Sequence, residues 1–180
     1  TSGDKFLNTS LSKIGGKGLF TKEIQQALLD KEIDMAVHSM KDVETVLPDE
    51  LYISTILPRE DITDSFISQK YGSIVDLPNG AIVGTSSLRR RAQLLNKRND
   101  LRVVEFRGNV QKRLGKLRDG VAEATFLATA GLKRLGLNDL VNSISVDDML
   151  PAVAQGAIGI EHRREDFIEE LVKPLNDDLS

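Results

Sequence analysis

The chain has 180 residues, of which 40% are hydrophobic and 28% charged; it carries a formal charge of −3 and has no cysteine and no tryptophan. That mix suits one large folded domain or two small ones, and it excludes disulfides, thiolate metal sites and a cysteine nucleophile within these residues. No apolar run approaches the length of a membrane span.

With aromatic residues at 4%, the core is expected to be aliphatic, built from Leu, Ile, Val and Ala. The chain starts at Thr1 rather than Met, so its natural start is expected to lie further upstream, and a targeting segment there stays open.

The stretch Thr1 to Gly18 is polar and punctuated by glycine, and "KIGGKGLF" predicts a loop. A helix follows, with Thr21 as its cap and Ile24, Ala27 and Leu28 at helical spacing. "DMAVHS" from Asp34 predicts a short buried strand, and "LYISTIL" from Leu51 a second, flanked by Pro48 and Pro58. "DSFIS" around Phe66 and "AIVGTSS" from Ala81 predict two more strands. Leu88 to Arg98 predicts a helix with Leu88, Leu94 and Leu95 on one side. After the strand "LRVVEF" from Leu101, Asn109 caps a helix that reaches Asp119 and ends at Gly120. "EATFLATA" predicts a buried strand and "GLKRLG" a short helix. This alternation predicts an α/β fold with mostly parallel pairing, whose ligands bind at the carboxyl ends of the strands.

Charge is unevenly spread. Between Arg89 and Arg118 stand eleven Lys or Arg against Asp100 and Glu105, a local +9 that leaves −12 for the rest. On charge alone, two solvated helix faces rich in arginine are the simpler explanation. The motifs shift that balance. "GTSSLRR" leaves a strand and opens a helix, so free backbone N–H groups, the hydroxyls of Thr85, Ser86 and Ser87, and the planar forks of Arg89 and Arg90 converge on one turn suited to carboxylate or phosphate. "FRGN" repeats the arrangement with Arg107, Gly108 and Asn109, and Arg113 lies one helical turn on. In "HSMKDV", Asp42 could act as a general acid–base or stabilise a cation, although a turn or capping role is the commoner fate of such an aspartate. His38 reads as a satisfied buried histidine, and two histidines without cysteine make a zinc site improbable. Lys13 and Lys17 could cover a phosphate, but "GGKGLF" has neither P-loop nor dinucleotide spacing.

Taken in order, "KIGGKGLFTKEI", "DMAVHSMKDV", "GTSSLRRRAQL", "RGNVQKRLGKL", "LATAGLKRLGL" and "LPAVAQGAIGIE" resemble the porphobilinogen deaminases over nearly the whole chain. The resemblance implies a three-domain enzyme whose first two domains are periplasmic-binding-protein-like α/β domains with a cleft between them. Domain 1 would hold residues 1–57 and 150–163, without the family's N-terminal strand and helix, and domain 2 residues 58–149. Residues 164–180 would be a helix and linker towards an absent third domain. The implied reaction joins four porphobilinogen molecules head to tail into hydroxymethylbilane, releasing ammonia, on a dipyrromethane cofactor held by a cysteine that this chain lacks.

The resemblance also implies roles. Asp42 matches the catalytic aspartate, which would face pyrrole N–H groups and the azafulvene-like cation formed as ammonia leaves. Ser39, Lys41, Thr85, Ser87, Arg89, Arg90, Gly108 and Arg113 match cofactor-binding positions, with Asp42 among them. Arg107, Arg113 and Gln155 match substrate-binding positions. The implied protein is a cytoplasmic monomer with no metal, no membrane and no nucleic-acid partner, and this fragment is expected to be inactive alone. Two departures stand out: Glu44 where proline is usual, and Ala154 where glycine is usual. A non-catalytic polycarboxylate-binding module is the alternative. Nucleic-acid binding is disfavoured by net charge and by the scarcity of aromatic residues.

Overall fold

A computed structural model describes residues 19–164 and 167–180. The glycine-rich loop with Lys13 and Lys17 lies outside the described residues. The chain divides into two units, residues 1–61 with 153–180 and residues 62–152.

In unit 1, α1 (Leu19–Leu29) precedes a three-stranded sheet of β1 (Met35–Ser39), β2 (Leu51–Ile56) and β7 (Ile158–Arg163) in the order β1-β7-β2. β7 pairs antiparallel with both neighbours. Leu28 of α1 packs on Ala36 and Leu51. The helix begins two residues before Thr21, which is buried within it and does not cap it. β1 is only half-buried, because side chains alternate across a strand: Ala36 and His38 are covered, while Met35 and Val37 are exposed.

The inner face of this sheet carries a buried polar cluster. His38 Nε2 donates to Glu161 Oε2 at 2.7 Å, and Gln25 Nε2 of α1 donates to Glu161 Oε1 at 2.9 Å. His38 is thus the satisfied buried histidine expected from the sequence. A short helix, α5 (Ile168–Val172), places Ile168 and Val172 against Ile160 of β7.

Unit 2 holds β3 (Asp64–Ser68), β4 (Ile82–Gly84), α2 (Leu88–Lys97), β5 (Arg102–Val104), α3 (Val110–Arg118), β6 (Ala124–Ala128) and α4 (Thr129–Arg134). Its sheet runs β3-β6-β4-β5. β4 is parallel to β5 and β6, whereas β3 is antiparallel to β6. Pairing is therefore mixed and, across both units, more often antiparallel than parallel. Only strands linked through helices obey the parallel rule. β7 returns from far along the chain, and β3 enters unit 2 from a loop, so neither is constrained by a crossover helix.

Each face of this sheet has its own core. Phe66, Val83, Leu94 and Phe126 form one, and Ile67, Phe106, Leu127 and Leu132 the other. Phe66 and Phe126 meet edge to face, 6.2 Å between ring centroids, so the core is not purely aliphatic. In α2 the buried face is Arg90 and Leu94, four residues apart, while Leu88 is 74% exposed.

The turn into β7 is strained at one residue. Ala154 has φ 56°, in the left-handed region, and Gly156 has φ 92°. A Cβ on Gly156 would meet the Glu60 carbonyl oxygen at 2.2 Å, so glycine is required there. Ala154 has no such need, and a left-handed L-residue costs about 1–2 kcal/mol. Ala154→Gly is expected to stabilise the chain by about 0.5–1 kcal/mol after glycine's greater entropy loss is subtracted. A thermal midpoint that stays level or falls would contradict this. The other departure, Glu44, places Oε1 3.8 Å from Lys22 Nζ, a pair of solvent-accessible groups contributing little.

Candidate functional site

The two arginine-bearing turns lie side by side at the carboxyl ends of β4 and β5, because those strands are parallel neighbours with Gly84 opposite Val104. Thr85 N–H donates to the Val104 carbonyl at 3.0 Å, and Ser86 Oγ accepts from Phe106 N–H at 2.9 Å. Thr85 Oγ1 accepts from Ser87 N–H at 3.2 Å, and Ser87 Oγ caps α2 by accepting from Arg90 N–H at 3.4 Å. All three hydroxyls are thus used as acceptors from backbone N–H groups. A hydroxyl used as an acceptor keeps its own proton to donate, so the turn retains three O–H groups fit for an anion.

In the second turn, Asn109 caps α3 by accepting from Lys112 N–H at 2.9 Å. Gly108 has φ 118°, and a Cβ there would sit 2.9 Å from that of Lys112, so the turn closes only with glycine. Lys116 Nζ donates to the Arg107 carbonyl at 3.1 Å and lies 5.5 Å from the centroid of the Phe106 ring. Arg107 and Arg113 are both half-buried.

Other cations of the basic window are engaged elsewhere. Arg98 pairs with Asp100 and donates to the carbonyls of Ile74 and Leu77, and Lys97 pairs with Asp148. The window is therefore not one continuous patch.

Asp64 is the residue that sequence reasoning missed. Its side chain is fully buried, with Arg89 Nη2 2.7 Å from Oδ2 and Arg90 Nη2 2.7 Å from Oδ1. Arg90 Nη1 also donates to the Phe126 carbonyl at 3.0 Å, and Arg89 Nη1 to that of Leu150. Burial pushes the Asp64 carboxyl up, but the two guanidiniums outweigh it and hold the group below the ordinary aspartate value. The arginine side chains differ in access: Arg89 is 23% exposed and Arg90 8%. A charged residue opening the strand predicted around Phe66 was the available signal, since buried acids are almost always paired.

In unit 1, Ser39 ends β1 and Met40–Asp42 form a single 3-10 turn. That turn is tied to the segment before β7 by Met40 N–H donating to the Ala157 carbonyl at 3.1 Å. Lys41 is half-buried and Asp42 exposed. Gln155 is 1% exposed and lies in the turn before β7, not on the strand. Its carbonyl accepts from Arg59 Nε at 3.0 Å. Of the residues proposed from sequence, Ser39, Lys41, Asp42 and Gln155 belong to unit 1, and Thr85, Ser87, Arg89, Arg90, Arg107, Gly108 and Arg113 to unit 2.

Comparison with known proteins adds an independent line. A family profile described as porphobilinogen deaminase, dipyromethane cofactor binding domain, matches residues 1–170. A curated porphobilinogen deaminase of Paracoccus denitrificans is 60% identical over 92% of this chain and 53% of its own length. A chloroplastic porphobilinogen deaminase of Pisum sativum is 56% identical over 98% of this chain and 48% of its own length. The chain thus spans about half the length of these curated relatives.

Solved structures show the same fold at low identity. A periplasmic substrate-binding protein of an ABC transporter from Coxiella burnetii aligns with a TM-score of 0.54 at 15% identity, over 86% of this chain and 75% of its own. A mutant OxyR2 regulatory domain from Vibrio vulnificus aligns with a TM-score of 0.52 at 16% identity, over 86% of this chain and 74% of its own. No helix among the described residues is long and apolar enough to cross a membrane.

Proposed function

Since the chain belongs to the porphobilinogen deaminase family, we propose that it supplies the binding and proton-handling residues of an enzyme that joins four porphobilinogen molecules into hydroxymethylbilane with loss of ammonia. The observation that carries this reading is the pair of adjacent strand-end turns. Their hydroxyl and guanidinium donors suit a ligand with many carboxylates, and each pyrrole ring of such a chain bears two.

The donor set fits dipyrromethane chemically. Thr85, Ser87, Arg89, Arg90 and Arg113 are assigned to hydrogen bonds with its acetate and propionate groups, Gly108 leaves room for them, and Ser39 and Lys41 are assigned to the cofactor as well. When bound, the cofactor supplies the acceptor position on which the pyrrole chain grows. This chain has no cysteine, so the thioether must come from other residues.

Asp42 is the catalytic carboxylate in this reading. Its side chain is exposed. An ionised aspartate can accept pyrrole N–H bonds and stabilise positive charge that develops as the amine departs. Arg107, Arg113 and Gln155 are assigned to the incoming substrate. The proposed domain division is residues 1–57 with 150–163, and 58–149, and the proposed setting is a cytoplasmic monomer without nucleic-acid partners.

Calorimetric titration of the chain with porphobilinogen tests the reading. Binding is expected, weakened at least tenfold by Arg107→Leu, with no steady release of ammonia from this chain by itself. Absence of binding would remove the case for the site. Sustained ammonia release would show that attachment through a cysteine is unnecessary.

A further inference from the structure

One cation of the basic window serves the second turn through its backbone. Lys116 stands in the last turn of α3, half-buried. A lysine there usually serves the last carbonyls of its own helix. Lys116 instead donates to the Arg107 carbonyl, nine residues back, and lies over the Phe106 ring. That ring is fixed in turn. Phe106 is buried, its N–H donates to Ser86 Oγ, and a Cβ on Gly84 would meet the ring at 2.4 Å. The Arg107 peptide next to it has no such wedge. It is followed by Gly108, with φ 118°, and a glycine lets the peptide before it flip at little steric cost.

We propose that Lys116 is a positioning residue: by holding the Arg107 carbonyl it fixes the Arg107–Gly108 peptide, so that the Gly108 N–H is presented to a ligand carboxylate. Lys116 itself touches no ligand. The peptide is trans, so its C=O and N–H point in opposite directions. With the carbonyl drawn to the ammonium, the N–H is turned away from it. Among the described residues that N–H donates to no backbone carbonyl. A cation on the carbonyl also polarises the amide and strengthens the donor at its other end. A donor held in one orientation loses less freedom when a ligand arrives.

This proposal rests on the reading that the turns bind carboxylates. Its test separates positioning from simple charge. Lys116→Met removes the ammonium, and Arg118→Met takes the same charge from the exposed end of the same helix. The affinity of each chain for porphobilinogen is measured calorimetrically at about 0.05 M and about 0.5 M salt, with circular dichroism showing each protein folded. If Lys116 positions the peptide, Lys116→Met weakens binding at least tenfold at both salt concentrations, and Lys116→Arg, which keeps a charged donor, recovers most of the loss. If Lys116 only adds positive field, the two methionine variants lose affinity alike and both losses fade in salt, which overturns the proposal.

Should Lys116→Met not fold, spectra of the wild-type chain decide. Without ligand, a scalar coupling across the hydrogen bond must join Lys116 Nζ to the Arg107 carbonyl carbon, and its absence overturns the brace. With porphobilinogen, the Gly108 amide proton moves downfield as it meets a carboxylate. Binding that leaves the Gly108 amide unmoved overturns the presentation of that donor. A wild-type chain that binds no porphobilinogen sinks the functional reading, while the ligand-free coupling still judges the brace.

Discussion

Asp64→Ala is expected to destabilise unit 2 by about 3–5 kcal/mol, the penalty for removing one partner of a buried ion pair. The substitution leaves Arg90, 8% exposed, and Arg89 side by side without an anion between them. Two like charges drawn to one point repel, and Arg90 has little room to reach water. For a chain of this size, that loss lowers the thermal midpoint by roughly 6–20 °C. An exposed aspartate changed to alanine would shift it by about 1–2 °C at most, so a small shift would contradict the burial argument.

The same group sets an acid limit. Its carboxyl is held below the ordinary value in the folded chain, so its contribution is complete above the unfolded aspartate value, near pH 4, and is lost as pH falls through the lower folded value. Wild type is therefore expected to lose stability more steeply below about pH 4 than Asp64→Asn. Parallel curves for the two proteins would argue against the pairing.

Glu161→Ala is the second large effect, expected at about 3–5 kcal/mol. Glu161 is fully buried on the central strand of unit 1 and accepts from both His38 and Gln25. Alanine would orphan two donors from two different elements and open a void beneath α1. Glu161→Gln keeps one oxygen for His38 but turns an amide towards a second donor, Gln25 Nε2, so about 1–2 kcal/mol is expected. The His38 ring lies next to Ser39, so distortion here also reaches the turn with Lys41 and Asp42. Denaturant melts of the two variants should rank alanine well below glutamine; equal midpoints would mean that the lost carboxylate acceptor, common to both variants, and not the void, sets the loss.

Local chemistry was the most legible part of the sequence. Asn109 caps its helix as expected, and the strand-turn-helix units that carry Gly84–Arg90 and Phe106–Asn109 stand where periodicity placed them. These features depend on residues within one turn of each other. Long-range relations were less visible. The partner of Arg90 stands 26 residues away, and an arginine on a helix gives no sign in itself of being buried. Leu88 looked like a core residue by type, yet Arg90 and Leu94 take the inner face because a carboxylate waits there. Thr21 has the composition of a cap but sits inside α1. Strand direction was over-read as parallel, since helical crossovers govern only part of the unit 2 sheet and none of the unit 1 sheet. The family motifs brought the candidate residues together in a list; placing them on their elements required coordinates.

The centre of the unit 1 sheet is β7, flanked by strands that precede it by more than a hundred residues. A ribosome making about 5–20 residues per second therefore delivers Met35 roughly 6–25 s before the strand that will pair with it. Unit 2 is contiguous from Ile62 to Ala152 and has all its strands in hand before that moment. Its birth order places the arginine turns on a finished scaffold while the sheet of unit 1, whose β1 leads into the Asp42 turn, is still open at the middle.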